Sequence, residues 1–319
     1  MRRYLLQRIA QAVLVLWAAY TLAFLILDLL PGDPVTVMAS GGLDQAPVDP
    51  ARLAQMKAEY GYDQPAALRY LDHLGRALHG DLGRSVQTGQ DVSTMIRTAL
   101  PSTLQLTLSA LVLAVVLGGG LALAATFTRH RWLGQALMAL PTLGVSLPTF
   151  WVGLMLIQVV SFRWALLPAL GDNGVRGLIL PAITLALPTA AVIGQILARS
   201  LLATLAEEYI ETATAKGAGR VRIHLRHALP NALMPALTVL GVLTGNLLAG
   251  SVVIETVFSR NGLGRITIAA VNTQDLPVVQ GVVVLGAVVF VTTNLIVDLL
   301  YPVLDPRVVT VRAVAGLRS

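Results

Sequence analysis

Six stretches of this chain contain no Asp, Glu, Lys or Arg: residues 9–27, 98–128, 132–162, 177–198, 228–254 and 276–297. Each is long enough for the roughly 18–20 apolar residues of one helical bilayer crossing. Hydrocarbon offers the backbone no hydrogen-bond partner, so only helices and closed barrels span it. Uninterrupted apolar runs of this length are not the alternating strands of a barrel. The pattern predicts an all-α membrane protein with six transmembrane helices. The low charged fraction, 13% of 319 residues against about 25% in soluble domains, points the same way.

Arg2, Arg3 and Arg8 precede the first stretch as they would in a secretory leader. The apolar run that follows continues to Leu30, longer than the roughly 7–15 residues of a leader core, and no small-x-small cleavage site ends it. It reads as a retained first span. Orientation follows from the basic residues of the short loops. With the amino terminus inside, the inner segments hold Arg2, Arg3, Arg8, Arg129, Arg131, Arg199, Lys216, Arg220, Arg222, Arg226, Arg307, Arg312 and Arg318, and the short outer loops hold only Arg163, Arg176, Arg260 and Arg265. Both termini and the segment around 199–227 are therefore expected in the cytoplasm of a multi-pass membrane protein. The net charge of +6 reflects this asymmetry; basic residues lying at membrane borders do not describe a nucleic-acid surface. With no cysteine, disulfides and thiolate metal sites are excluded.

The expected organisation is residues 1–30 as amino terminus and first span, 31–100 as an extracytoplasmic helical segment, 101–305 as the core of spans two to six, and 306–319 as a cytoplasmic tail. The 31–100 segment opens on turn residues, Pro31-Gly32-Asp33-Pro34, Gly41-Gly42 and Asp49-Pro50, the last pair suiting an N-cap and first-turn proline. Apolar residues at helical spacing follow from Arg52 to His79, among them Leu53, Met56, Tyr60, Leu68, Leu71, Leu74 and Leu78. Glycine punctuation at 80–89 precedes an amphipathic run, Val92–Leu100, that leads into the second span. This segment reads either as a structured cap over the outer face or as a docking surface for a partner. Pro141 and Pro148 bracket a predicted break in the third span, and Gly241, Gly245 and Ala249 make a small-residue stripe suited to close helix packing.

No engine is visible. A P-loop needs Gly-Lys-Ser or Gly-Lys-Thr, and the only lysines, Lys57 and Lys216, follow Met56 and Ala215. There is no Gly-x-Ser-x-Gly elbow and no His-Glu-x-x-His; His224 and His227 lack a carboxylate at ligand spacing and read as surface residues. No catalytic residue, metal site or bound cofactor is expected. Ion-coupled carriers place ionisable groups at mid-depth, whereas Asp28, Glu255 and Asp298 lie at span ends, with Asn294 one turn before Asp298. Polar residues inside the spans are candidates to line or gate a path, because polar groups in lipid turn inward: Thr142, Ser146, Thr149, Gln195, Thr244 and Asn246, with Gln158 and Thr184 beside them.

One soluble-looking segment, 207–230, separates two of the spans. Glu211-Thr212-Ala213, then Gly217, then His227-Ala228-Leu229-Pro230 resembles the cytoplasmic EAA loop of ATP-binding-cassette importer permeases, whose pattern is Glu-Ala-Ala, three residues, Gly, nine residues, Ile-x-Leu-Pro. Thr212 and His227 depart from it. Further segments are similar to the dipeptide, oligopeptide and nickel branch of that family: Tyr60-Gly61-Tyr62-Asp63-Gln64-Pro65, Gly80-Asp81-Leu82-Gly83-Arg84-Ser85, Ser146-Leu147-Pro148-Thr149-Phe150-Trp151, Val253-Ile254-Glu255-Thr256-Val257-Phe258, Gly262-Leu263-Gly264 and Leu304-Asp305-Pro306-Arg307.

The resemblance implies the type I importer permease fold and half of a translocation path for short peptides; nickel, glutathione or oligosaccharide import by the same kind of complex is the alternative, and an ATP-independent secondary transporter is the alternative from another class. It implies a second similar permease, two ATPase subunits that bind ATP and magnesium, and an extracytoplasmic substrate-binding protein as partners. It implies that Glu211, Thr212, Ala213, Ala215, Lys216, Gly217, Leu229 and Pro230 form the ATPase-coupling loop. Within it, a helix over about Tyr209–Lys216 presents Ala213 and Ala215, Glu211 pairs with an ATPase arginine, Gly217 and Gly219 reverse the chain, and Val221–Ala228 forms a second, basic helix.

Overall fold

The computed structural model describes residues 2–29, 35–36, 50–59, 61–172 and 174–304. The turns expected at 31–34, 41–42 and Asp49, the 305–307 segment, the tail 306–319 and the side chains of Asn294 and Asp298 lie outside the described residues. In chain order the helices are α1 (Arg2–Leu29), α2 (Pro50–Glu59), α3 (Ala66–Leu78), α4 (Val92–Phe127), α5 (Arg131–Ser146), α6 (Thr149–Leu156, continued by a π-helical stretch Ile157–Arg163), α7 (Gly174–Leu205), α8 (Glu208–Ala215), α9 (Arg220–Arg222, continued by a π-helical stretch Ile223–Ala228), α10 (Leu229–Val257), α11 (Leu263–Asn272) and α12 (Leu276–Leu304).

Each of the six uncharged stretches is thus helical. Among the described residues four helices, Val92–Phe127, Gly174–Leu205, Arg220–Val257 and Leu276–Thr293, are long and apolar enough to cross a membrane, or five if the bent pair α5–α6 is one span; Val13–Leu29 is a shorter apolar helix. The third stretch breaks where proline demanded it. Leu147 takes extended backbone (φ −94°, ψ 133°) and Pro148 precedes α6 as its N-cap, because the ring of a proline drives the preceding residue out of the helical region. The two arms meet at 98°. Pro141 stays inside α5.

The chain divides into two compact units, residues 1–103 with 260–291 and residues 104–259 with 292–319. In the first unit, Phe24 and Leu27 of α1, Val92, Ile96 and Ala99 of α4, Leu263 and Ala270 of α11 and Leu276, Val278 and Val279 of α12 form the core. The periodic run expected from Arg52 to His79 is two helices, parted by Gly61 in the left-handed region (φ 72°) and by Pro65. The leucines of α3 face outward, with Leu68, Leu71 and Leu78 exposed. Polar pairing decides this rather than apolar periodicity. Arg69 is buried in an ion pair with Asp28, its guanidinium 4.5 Å from the Tyr62 ring centroid, and Tyr70 Oη lies 2.7 Å from Thr21 Oγ1. A lone buried charge costs far more than a few solvated leucines regain.

Asp275 fastens the opposite side of this unit. Its buried carboxylate accepts from Ser85 Oγ at 2.5 Å, Val86 N at 3.2 Å and Gln87 N at 3.4 Å, tying the 83–91 loop to the α11–α12 turn. At the other end of α11, Leu263 N donates to Thr103 Oγ1 at 2.8 Å.

In the second unit α7 is the axis. Leu180, Leu185, Ala186, Ala190 and Ile193 pack with Leu106, Ala110 and Ala114 of α4 and with Leu243, Leu247 and Ile254 of α10. Backbones approach closely at Gly118 of α4 and Gly194 of α7: a Cβ on Gly118 would overlap Ala190 O and lie 3.1 Å from Gly194 N. The stripe expected on α10 does not repeat this, for Gly241 is buried but Ala249 is exposed. Meanwhile Val112 and Val116 of α4 are 63% and 62% exposed, apolar surface that only lipid or another subunit can cover.

Gly118→Ala should destabilise the solubilised protein by about 1–3 kcal/mol through overpacking. Gly119→Ala, where a Cβ meets nothing within 4 Å, should stabilise it by up to about 1 kcal/mol through helix propensity; thermal melts of the two variants check the contrast. A pH effect follows from His73 on α3, whose pKa burial pushes below its ordinary 6.5. Between the lowered folded value and 6.5 the unfolded chain binds a proton that the folded chain refuses, so stability falls as pH drops below about 6.5 and is constant above it. Melts between pH 5 and 8 should show this slope, and His73→Asn should flatten it.

Candidate functional site

The segment 205–229 is the most fully built loop of the second unit. After α7, the chain turns through Ala206 N to Ala203 O (3.1 Å) and Glu207 N to Thr204 O (3.2 Å), and α8 begins with Glu208 and Glu211 in its first turn. Carboxylates there meet the positive end of the helix dipole. The helix runs over 208–215, close to the expected 209–216. Its end is a Schellman turn: Gly217 N donates to Thr214 O (2.9 Å) and Ala218 N to Ala213 O (3.1 Å), with Gly217 at φ 81°. That backbone conformation costs a residue with a Cβ about 1–2 kcal/mol, which is the physical need for glycine at this point. Gly219, by contrast, has ordinary extended backbone (φ −67°, ψ 156°).

The expected second helix, Val221–Ala228, is not separate. It is the first turns of a continuous run into α10. Pro230 lacks the N–H that would bond Arg226 O, and the turn before it widens into the π-helical stretch. Leu229 is half-buried and Pro230 exposed.

One face of the loop is anchored. Ile210, Ile223, Ala228 and Ala232 are buried with Ala122 of α4 and Leu197, Ala198 and Leu201 of α7. Tyr209 Oη donates to His227 O at 3.1 Å and accepts from Asn231 Nδ2 at 2.8 Å, stitching α8 to α10. The other face is open: Glu208, Glu211, Thr212, Ala215 and Lys216 are exposed, Ala213 half-buried. Among the described residues no side-chain partner meets the Glu211 carboxylate. The two departures from the motif differ in kind. Thr212 turns its hydroxyl onto Glu208 O (3.3 Å), a bond within its own helix, whereas His227 contributes its carbonyl to the Tyr209 and Asn231 bonds.

His224, expected on the surface, is buried. Its ring stands edge-on to Phe127 at 5.1 Å between centroids, and its nitrogens lie 3.0 Å from Arg220 O and 3.4 Å from Thr126 O. Phe127 and Tyr209 had no signal in the sequence beyond being aromatic residues at helix borders.

Of the polar residues inside the spans, Thr142 and Gln195 are brought together, lining a cavity of about 100 Å³ with Pro141, Gly194 and Arg199. Ser146 bonds Thr142 O (2.7 Å) and Thr244 bonds Leu240 O (2.9 Å); Thr184 is fully buried and bonds Leu180 O (2.8 Å). Thr149 opens α6, while Gln158 and Asn246 are exposed. Hydroxyls that bond back to their own helix are satisfied without facing a path. The first unit holds a polar cavity of about 780 Å³, lined among others by Tyr20, Arg69, His73, Arg76, Asp81 and Gln280, and a groove of about 580 Å³ between the start of α4 and α11, floored by Met95, Ile266 and Ala269. Among the described residues no three His, Asp or Glu stand together as metal ligands would.

Comparison with known proteins places this geometry. Residues 114–310 match the family model of the binding-protein-dependent transport system inner membrane component, and residues 1–107 match the model of the amino-terminal part of such membrane components. The glutathione transport system permease protein GsiC of Salmonella choleraesuis (strain SC-B67) is 34% identical over 308 residues, covering 97% of this chain and 99% of its own. A protein of Brucella suis biovar 1 (strain 1330), provisionally named a peptide transport system permease protein, is 36% identical over 316 residues, with the same coverage. In fold the chain is similar to a chain of an amino acid ABC transporter crystallised with histidines (TM-score 0.51, 18% identity, 65% of this chain and 93% of that one). It is equally similar to a chain of the MetNI methionine ABC transporter in an inward-facing form (TM-score 0.51, 17% identity, 66% and 96%). The ATP-independent carrier is thereby set aside: this chain belongs to the inner-membrane permease components of binding-protein-dependent ABC importers.

Proposed function

We propose that this permease imports short peptides, glutathione among them, and that its 207–230 loop is where ATP-driven force enters. The observation that carries the reading is the two-faced construction of that loop. Its inner face is locked to the ends of α4, α7 and α10, and its outer face presents an exposed carboxylate, Glu211, on a helix ended by a glycine that cannot be replaced without strain. The substrate class is supported by the names of relatives that align over 97% of the chain.

In this reading two ATPase subunits, which bind ATP and magnesium, meet the loops of this chain and of a second, similar permease on the cytoplasmic side, where both termini also lie. An extracytoplasmic binding protein delivers the substrate to the opposite face. A rigid loop is what such coupling requires: closure of the ATPase pair shifts the permease only through contacts that differ between the ATPase states. A helix that frayed at Gly217 would absorb the motion. Rigid-body rotation of the spans then opens the path outward.

Glu211→Lys and Gly217→Pro should leave membrane insertion intact and abolish stimulation of ATP hydrolysis by the loaded binding protein in reconstituted vesicles. Proline holds φ near about −65°, far from the 81° at Gly217, so its effect should exceed that of Gly217→Ala. Undiminished stimulation in both variants would remove the coupling assignment. For the substrate, equilibrium binding to the cognate binding protein should favour di- and tripeptides or glutathione over nickel ions and oligosaccharides; tighter binding of the metal or sugar would displace the peptide assignment.

A further inference from the structure

We propose that Phe127, Arg220 and His224 form a tie that carries displacement of the 207–230 loop to the end of α4, a positioning role that rests on reading that loop as the ATPase contact. The last carbonyls of any helix lack partners within it. At the end of α4, Thr128 N closes on Ala124 O (3.1 Å), and one further carbonyl is met from the loop: Arg220 Nη2 reaches Thr128 O at 3.5 Å. His224 Nε2 lies 3.4 Å from Thr126 O, but a neutral imidazole that donates Nδ1–H to Arg220 O has no second N–H for it. A cation at this position also opposes the negative end of the α4 dipole.

The Arg220 bond is long, and bonds weaken toward such distances. The Phe127 ring is the stronger joint. Arg220 Cζ stands 5.1 Å from its centroid, and the His224 ring meets it at 5.1 Å and 76°. One ring therefore receives a cation and an imidazole from consecutive turns of the loop. His224 is held for this contact by Arg220 O, 3.0 Å from its Nδ1, and by burial beside Ile223. Tyr209 and Asn231 make a second, separate attachment, to the start of α10. Beyond the apolar contacts with Ala122 of α4 and with α7, the loop thus holds α4 and α10 through different side chains, and the Phe127 joint can be cut without touching Glu211, Gly217 or the attachment to α10.

The test measures substrate uptake per ATP hydrolysed by the assembled transporter in proteoliposomes. Phe127→Leu keeps apolar bulk but removes the ring, and should lower uptake per ATP by about fivefold while the loaded binding protein still stimulates hydrolysis. Phe127→Trp, which keeps a face for the guanidinium and an edge for the imidazole, should restore the ratio, an outcome that loss of packing alone would not give. Arg220→Gln should lower the ratio alone and add little to Phe127→Leu, as parts of one joint do; it also supplies the reading if Phe127→Leu does not assemble. An unchanged ratio in Phe127→Leu, or in Arg220→Gln where only that variant assembles, overturns the tie. If Glu211→Lys and Gly217→Pro also leave stimulation intact, the loop reading fails too, and the two failures are told apart.

Discussion

A peptide group inside hydrocarbon must find its hydrogen-bond partner within the protein, and this requirement stands behind the rest of the structure. It makes each uncharged stretch a helix. It also makes departures from helix expensive, so they occur where a residue compels them. Pro148 is one such place: the chain leaves the helical region at Leu147 and re-enters it at a steep angle. Pro230 is another, where the lost N–H is accommodated by a widened turn rather than a break. Thr184 and Thr244 obey the same rule by bonding carbonyls of their own helices.

With secondary structure settled this way, tertiary structure is a matter of which helix faces meet. In the second unit the answer is small side chains. Gly118 and Gly194 let α4 and α7 approach at backbone distance, and alanines along both helices extend that contact. In the first unit polar pairs decide instead. Arg69, Tyr70 and His73 turn α3 toward α1 and α12, leaving Leu68, Leu71 and Leu78 outside. The 207–230 loop combines both solutions: an apolar underside against α4 and α7, and hydrogen bonds from Tyr209 and Asn231 that fix its angle on α10.

In the proposed coupling, what the structure supplies is stiffness between the 207–230 loop and the spans that respond. The Schellman turn at Gly217 supplies it locally, since both of its backbone bonds must break before α8 can move independently of α9. The contacts of the loop with α4, α7 and α10 extend that stiffness to the spans.

Much of this was legible in the residues. Charge-free runs mark helices because a charge in lipid costs too much to be scattered at random. Gly217 marks a reversal because only glycine enters the left-handed region at little cost. The faces were not legible. The leucines spaced along α3 did not say which face is buried; Leu68, Leu71 and Leu78 are exposed because one buried arginine with its carboxylate partner outweighs a stripe of leucines. His224 looked like a surface residue because nothing local records that Phe127, nearly a hundred positions earlier, would close over it. The amino-acid sequence by itself determined which segments are helical and where the backbone turns, since those follow from hydrogen bonding and φ preferences within a few residues. Only the tertiary structure decided which side of each helix is inside and what holds the loop to its spans, because those depend on pairs of side chains that the chain brings together from far apart.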